Sequence, residues 1–365
     1  MKQKIKIIVL FIFICGSAFV FTRSGQMQTE KTQTNVAQTQ VVTAGQKFKN
    51  IKVLTDMPAD QMGKVMNLFA ASLGVNCNFC HVENDFAKDA KEEKESAREM
   101  IKMNLELNKN YFNNRPEISC NTCHNGKTHP NAAPNLMPKV AEEIRPKQPD
   151  VKPTVDDILS RYAQAVGGKD ALAKITSRVV KASRIEPDNK TVETEEITQK
   201  GDKLSIVTSY PKAVVSESFD GANVWKRAGA NDINLKADEI EQIKRNAQIF
   251  AFEDLKTVYQ KLDFRFVDKI DGREVYLLTG TLADNSRERF YFDVSSGLLV
   301  RRVSSTPTVL GNFQYQVDYS DYKDFGGVKL PATTLFAVPN ISWTRKITEV
   351  KNNAAVDDAK FNQPE

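Results

Sequence analysis

A chain of 365 residues is long for one domain, since domains run to roughly 100 to 200 residues, so two are expected. The composition is that of an ordinary folded protein. The formal charge of +5 is misleading, because the first fifty residues hold seven Lys or Arg against one acid and the signs nearly cancel from residue 51 onward. The excess belongs to the leader and not to a folded face, which excludes a basic nucleic-acid-binding surface.

The chain opens with Met1-Lys2-Gln3-Lys4-Ile5-Lys6, followed by an apolar run from Ile7 to Phe21. A positive start before an apolar stretch of about 15 residues is the pattern of an export signal, whereas a membrane span needs about 20. No small-x-small cleavage site is clear, so residues 1–21 are read as a signal peptide or a membrane anchor. The protein is then expected to be exported, and either periplasmic or held at the outer face of the cytoplasmic membrane. Cys15 is preceded by Ile14, where a lipidation site wants a small residue, and is read as part of the apolar segment. Residues 22–50 are rich in Gln and Thr and are expected to form a tether.

Pro58 is placed to open a helix and Gly74 to close it, so Pro58 to Leu73 reads as one helix of about four turns. A longer helix is expected over Lys88 to Phe112, ending before Pro116. Residues 132–153 carry five prolines and read as a linker. Beyond it, Thr154 to Ala173 reads as two short helices broken at Gly167-Gly168. Strands follow: Phe290, Phe292 and Val294 alternate with polar neighbours, as do Phe313, Tyr315, Val317 and Tyr319. Asp220-Gly221, Asp271-Gly272 and Gly326-Gly327 supply the turns, and a helical insertion is expected over Lys236 to Leu262.

Four of the five cysteines fall in two copies of one pattern, Cys77-Asn-Phe-Cys80-His81 and Cys120-Asn-Thr-Cys123-His124. C-x-x-C-H is the haem-attachment signature. On one helical turn, residues i, i+3 and i+4 share a face, so two thiols can reach the two vinyl groups of a porphyrin while the imidazole reaches its iron. A zinc site is the weaker alternative, since 39 residues separate the pairs here against roughly 15 to 20 in zinc ribbons. Two local disulfides would account for the thiols but not for the histidine after each pair. Two covalently attached haems c are therefore expected.

The sixth iron ligand decides between electron transfer and small-molecule chemistry. Outside the two motifs the chain has one histidine, His129, so at most one haem could have two His ligands from this chain. Methionine is the better source. Met62 and Met66 lie one turn apart on the first helix, and Met100 and Met103 share a face of the second. Methionine pairs on helices more often fill cores, so residue chemistry alone leaves these roles open.

The surroundings of Val65-Met66-Asn67, Ser72-Leu73-Gly74-Val75-Asn76-Cys77, Ala97-Arg98-Glu99-Met100 and Cys120-Asn121-Thr122-Cys123-His124-Asn125-Gly126 resemble the photosynthetic reaction-centre cytochrome c subunit family. The resemblance covers about residues 51–130 and implies a unit of helix, turn and attachment motif for each haem. It implies that Met66 stands opposite His81 and Met100 opposite His124, with Met62 and Met103 as packing residues. It also implies an electron carrier rather than an enzyme, with a redox partner that is another cytochrome or a membrane electron-transfer complex such as a reaction centre. The chain departs from the family in having two motifs where four are typical, and Asn125 where Arg is usual. The haem chemistry therefore carries over, whereas docking on a reaction centre does not follow. A diheme peroxidase, with one open iron, is the enzymatic alternative.

Residues from Thr154 onward weakly resemble the lipoprotein-carrier family, on the leading helix pair, the strand series, the run Asp321 to Pro331 and the closing Asp358-Ala359-Lys360-Phe361. That resemblance implies an open antiparallel half-barrel able to hold an apolar ligand. The competing expectation, slightly preferred, is a concavity filled by its own Phe, Tyr and Trp side chains, with Trp225 and Trp343 in the core. The expected fold is thus α+β and multidomain: a small all-α diheme cytochrome c domain over 51–131, a Pro-rich linker over 132–153, and a β half-barrel with covering helices over 154–365.

Overall fold

The computed structural model describes residues 41–130, 148–149, 151–188, 192–248 and 255–363. The leader, most of the expected tether and most of the Pro-rich linker lie outside the described residues, and with them Cys15, Met27 and Met137.

The helical part begins earlier than its sequence suggests. A single turn, α1 (Ala44–Lys47), falls inside the stretch expected to be a tether. Ala44 is fully buried there, and its amide donates to the Met57 carbonyl at 2.7 Å. A small side chain and a backbone bond do the anchoring, so no run of large apolar residues announces it.

The first expected helix is α2 (Met62–Leu73), preceded by a 3-10 turn over Ala59–Gln61. It stops at Gly74, whose φ of +66° is the left-handed conformation that favours glycine at a helix end. The second is α3 (Glu92–Tyr111), four residues shorter at its start than expected. Three acids in its first turn, Glu92, Glu93 and Glu95, face the positive end of the helix dipole. The short α4 (Cys120–His124) follows.

Two helices, α5 (Val155–Ala165) and α6 (Lys169–Ala173), break at Gly167 and Gly168 as expected. Then come β1 (Ser177–Ile185), β2 (Val192–Lys200), β3 (Lys203–Tyr210), β4 (Ala213–Phe219), β5 (Val224–Ala228) and β6 (Asn231–Asp232). Within the expected helical insertion the described residues form α7 (Ala237–Ala247) and α8 (Leu255–Val258), and it ends before Leu262, which already lies in a strand. The remaining strands are β7 (Lys261–Ile270), β8 (Arg273–Thr281), β9 (Arg287–Asp293), β10 (Leu299–Thr308), β11 (Gly311–Asp324), β12 (Lys329–Val338) and β13 (Ile341–Asn352).

These strands form one antiparallel sheet in the order β6-β5-β4-β3-β2-β1-β13-β12-β11-β10-β9-β8-β7. Every neighbour but β1 and β13 is a hairpin partner, so first and last strands meet in the middle and the two edges stay open. Side chains from β5 and from β10 line the same cavity although seven strands separate them, which requires the sheet to curl. Helix α5 covers one half of the hollow, packing Ile158, Leu159 and Tyr162 with Leu278, Phe290, Phe292 and Leu299 of the sheet. Helix α7 covers the other, packing Ile243 and Ala247 on Leu204 and Phe219. The outcome is the expected α+β arrangement with a half-barrel under helices.

The helical part and the sheet share a core. Leu310, at the tip of the β10–β11 hairpin, is 2% exposed and clusters with Ala44, Met57, Val65 and Ile101. Lys236, just before α7, pairs with Asp60 at 2.6 Å.

Candidate haem-binding site

Each pentapeptide closes into a single turn, as the shared-face argument requires. The His81 amide donates to the Cys77 carbonyl at 3.0 Å, and Cys120–His124 is helical throughout. The cysteines of both motifs are free thiols, with Cys77 and Cys123 exposed and Cys80 and Cys120 half-buried. Burial pushes the Cys80 and Cys120 thiols up from their ordinary pKa. Among the described residues, no group of three or more His, Cys, Asp or Glu side chains converges as a metal cluster would.

The two imidazoles are held alike. His81 Nδ1 lies 3.0 Å from the Phe86 carbonyl oxygen and His124 Nδ1 lies 2.9 Å from that of Lys127. A carbonyl only accepts, so Nδ1 is the protonated nitrogen in each ring and Nε2 keeps its lone pair for a metal. Repetition of this bond at both motifs is the geometric feature that fits an axial ligand.

Supports for the motifs come from residues the sequence did not single out. Ahead of the second, Asn108 accepts from the Ile118 amide at 2.9 Å and donates to the Ile118 carbonyl at 2.7 Å. Asn104 donates to the same carbonyl at 2.9 Å. Both asparagines are buried, and together they fix the residue two places before Cys120. Asparagine on a helix buried side was the available signal, since an amide there must find partners. After the first motif, Asp89 pairs with Lys52 at 2.7 Å, Lys94 at 2.9 Å and the buried Arg98 at 2.8 Å. These donors, Arg98 foremost, hold the Asp89 carboxyl far below the usual carboxylate range. The Lys91 ammonium also reaches the Asn78 carbonyl within the motif.

The motifs are joined through α2. The Gly126 amide, just past His124, donates to the Ser72 carbonyl at 2.8 Å, and any side chain on Gly74 would collide with the Gly126 carbonyl.

Met66 and Met62 are both half-buried and pack on the cluster around Val65. Met100 and Met103 are each 44% exposed, on a strip of α3 that continues through Leu107 to the exposed Tyr111. Spacings of 3, 4 and 4 residues put these four on one face. The polypeptide therefore does not separate Met66 from Met62, or Met100 from Met103. An exposed apolar strip of this kind fits a bound apolar group that would cover it. His129 is exposed.

Comparison with known proteins bears on the same segment. Residues 19–157 match the photosynthetic reaction centre cytochrome C subunit family. Cytochrome c-554 of Chloroflexus aurantiacus is 31% identical over 115 residues, which are 30% of this chain and 26% of that protein. The chain thus spans about a quarter of the length of the curated relative it matches. The resemblance read from the motifs holds over this segment. Among solved structures, a LolA superfamily protein from Nitrosomonas europaea aligns with TM-score 0.42 and 14% identity, covering 58% of this chain and 98% of that one. A DUF1329 family protein from Desulfovibrio piger aligns with TM-score 0.41 and 10% identity, covering 57% and 97%. Both likenesses are distant, and the half-barrel rests on the strand order itself.

The hollow of the half-barrel is filled by its own aromatics only in part: Tyr162, Phe290 and Phe292 pack beneath α5, as the slightly preferred expectation had it, while a partly open cavity of about 600 Å³ remains beside them. Trp343 lines it, half-buried and stacked on Phe336 with ring centroids 5.1 Å apart, and Trp225 is half-buried as well. Neither is a core residue.

Proposed function

We propose that this protein is an exported diheme cytochrome c that moves single electrons to or from a redox partner protein, another cytochrome or a membrane electron-transfer complex. The observation that carries the reading is the pair of C-x-x-C-H turns, each with free thiols and a histidine whose Nδ1 is held by a backbone carbonyl. Cys77 and Cys80 would hold one haem and Cys120 and Cys123 the other, and His81 and His124 would each offer Nε2 to an iron. Met66 and Met100 are the proposed sixth ligands. A thioether there raises the reduction potential relative to a second imidazole, which suits a relatively oxidising partner. Localisation outside the cytoplasmic membrane follows from the leader pattern. Among the described residues no helix is long and apolar enough to cross a membrane.

Mass spectrometry and haem quantitation of the mature protein, made in a host that attaches haem c, test the cofactor count. Two added haems are expected, and an unmodified polypeptide mass would falsify the proposal. Absorption spectra of Met66→Ala and Met100→Ala test the axial ligands: each should lose one haem's share of the far-red methionine-to-iron band.

A further inference from the structure

We propose that Lys94 sets the haem proposed at Cys77 and Cys80 to the higher of the two reduction potentials, by placing its ammonium on the same carbonyl that holds His81. The inference rests on the haem reading above. It starts from a difference between two imidazoles that are otherwise held alike. The Phe86 carbonyl accepts from His81 Nδ1 at 3.0 Å and also from Lys94 Nζ at 2.9 Å. The corresponding carbonyl at the second motif, that of Lys127, accepts from His124 Nδ1, and among the described residues no side-chain cation bonds it.

By helix rules a lysine is out of place here. Lys94 stands in the first turn of α3, where a positive charge opposes the helix dipole and the neighbouring positions are Glu92, Glu93 and Glu95. Its side chain is only 11% exposed. The ammonium donates to three successive carbonyls, those of Phe86, Ala87 and Lys88, at 2.9, 3.0 and 3.0 Å, and pairs with Asp89 at 2.9 Å. Four oxygens around three N–H protons fix the charge in position. Asp89 does not cancel it, because Lys52, Lys94 and Arg98 together share the two acids Asp89 and Glu95. Nearer Cys80, the charges of Lys91 and Glu93 act in opposite senses.

Two effects follow, and they have the same sign. A carbonyl that accepts from an imidazole Nδ1–H raises the electron density the ring offers at Nε2, which favours a ferric iron. An ammonium on the same oxygen draws that density away and weakens the effect. The charge itself lies two hydrogen bonds from the His81 ring, in a half-buried setting where water screens it less, and disfavours the more positive ferric state. Both effects raise the potential at the first motif over that at the second. The exchange so biased is of one electron between the two sites, with no proton and no further reactant, and the electron rests at the first.

The test uses the full-length, haem-loaded protein, isotope-labelled for NMR, at neutral pH and fixed ionic strength. Spectroelectrochemistry reads the two midpoints, and the Nδ1–H resonances of His81 and His124 in the reduced protein assign them, since each is lost when its own iron becomes ferric. On stepwise oxidation the His124 signal should go first. Lys94→Gln should lower the first midpoint by about 59 mV, a tenfold change in the ferric-to-ferrous ratio for one electron, and leave the second in place. The same variant should move the His81 Nδ1–H resonance downfield, as its acceptor is no longer shared. Lys94→Arg keeps the charge and should shift the midpoint far less. Asp89→Asn loosens the same loop but removes a negative charge, so it should raise the first midpoint. An unchanged midpoint in Lys94→Gln would overturn the proposal, as would a fall in both Lys94→Gln and Asp89→Asn, which is the mark of a loosened loop and not of a charge. A protein that loads no haem gives no midpoint and removes the haem reading itself, so the two failures are told apart.

Discussion

Asn108 shows how much of the proposed haem site lies outside its proposed ligands. One buried amide satisfies both backbone groups of Ile118, and so fixes the chain two residues before Cys120. Asn108→Ala leaves the Ile118 amide without its partner while the carbonyl keeps Asn104, at a cost of roughly 1 kcal/mol. Chemical denaturation should show that loss, and the optical signal of the haem proposed at Cys120 and Cys123 should broaden while that of the one proposed at Cys77 and Cys80 stays sharp. Asp89 carries a pH dependence. Its pKa is lower folded than unfolded, so its stabilising effect is present above the ordinary carboxylate pKa of about 4 and is lost as pH falls toward the folded value. Acid unfolding of Asp89→Asn should therefore approach the wild-type curve at low pH and lie below it in stability at neutral pH. Equal stability of the two proteins at pH 7 would remove the role given to this cluster.

Among the elements, α2 has the most demanding end. Gly74 combines a positive φ with a backbone neighbour at the position a Cβ would take. Gly74→Ala should destabilise by more than about 1 kcal/mol, visible as a lower thermal midpoint, because the strain and the collision add. How legible such elements were depended on the kind of signal. Helix α2 was readable from Pro58 and Gly74, and the break between α5 and α6 from its two glycines, since backbone chemistry marks these points locally. Helix α1 was not, because Ala44 is buried by contacts made far along the chain. The helical insertion was drawn too long because Leu262 reads as helical in a window that tertiary pairing with β8 makes a strand. Both C-x-x-C-H turns were legible as turns, since a five-residue spacing carries them. Asn104, Asn108 and Asp89 were not, since their partners are backbone groups or charges that only the fold brings near.

For the molecule as a whole, the β10–β11 hairpin ties the sheet to the helices of the candidate haem site. Leu310 completes the cluster against which Met62, Met66 and Phe69 pack. Leu310→Ala should cost roughly 2 to 5 kcal/mol, as large-to-small changes in cores do. Hydrogen exchange should then rise in α2 and in the hairpin together. A rise confined to the hairpin would mean that the two parts are stabilised independently. The half-barrel was foreseen in outline from strand alternation and turns. Its cavity was not, because the curl that separates opposing side chains is a property of strand number and order, not of any short stretch of sequence.

The bond from Gly126 to Ser72 closes a stretch of chain that holds both C-x-x-C-H turns. Closure leaves Cys77 and Cys123 exposed, with Cys80 and Cys120 half-buried. The sulfurs therefore stay within reach of an attachment enzyme after the chain has folded, so loading of the proposed cofactors does not have to outrun folding.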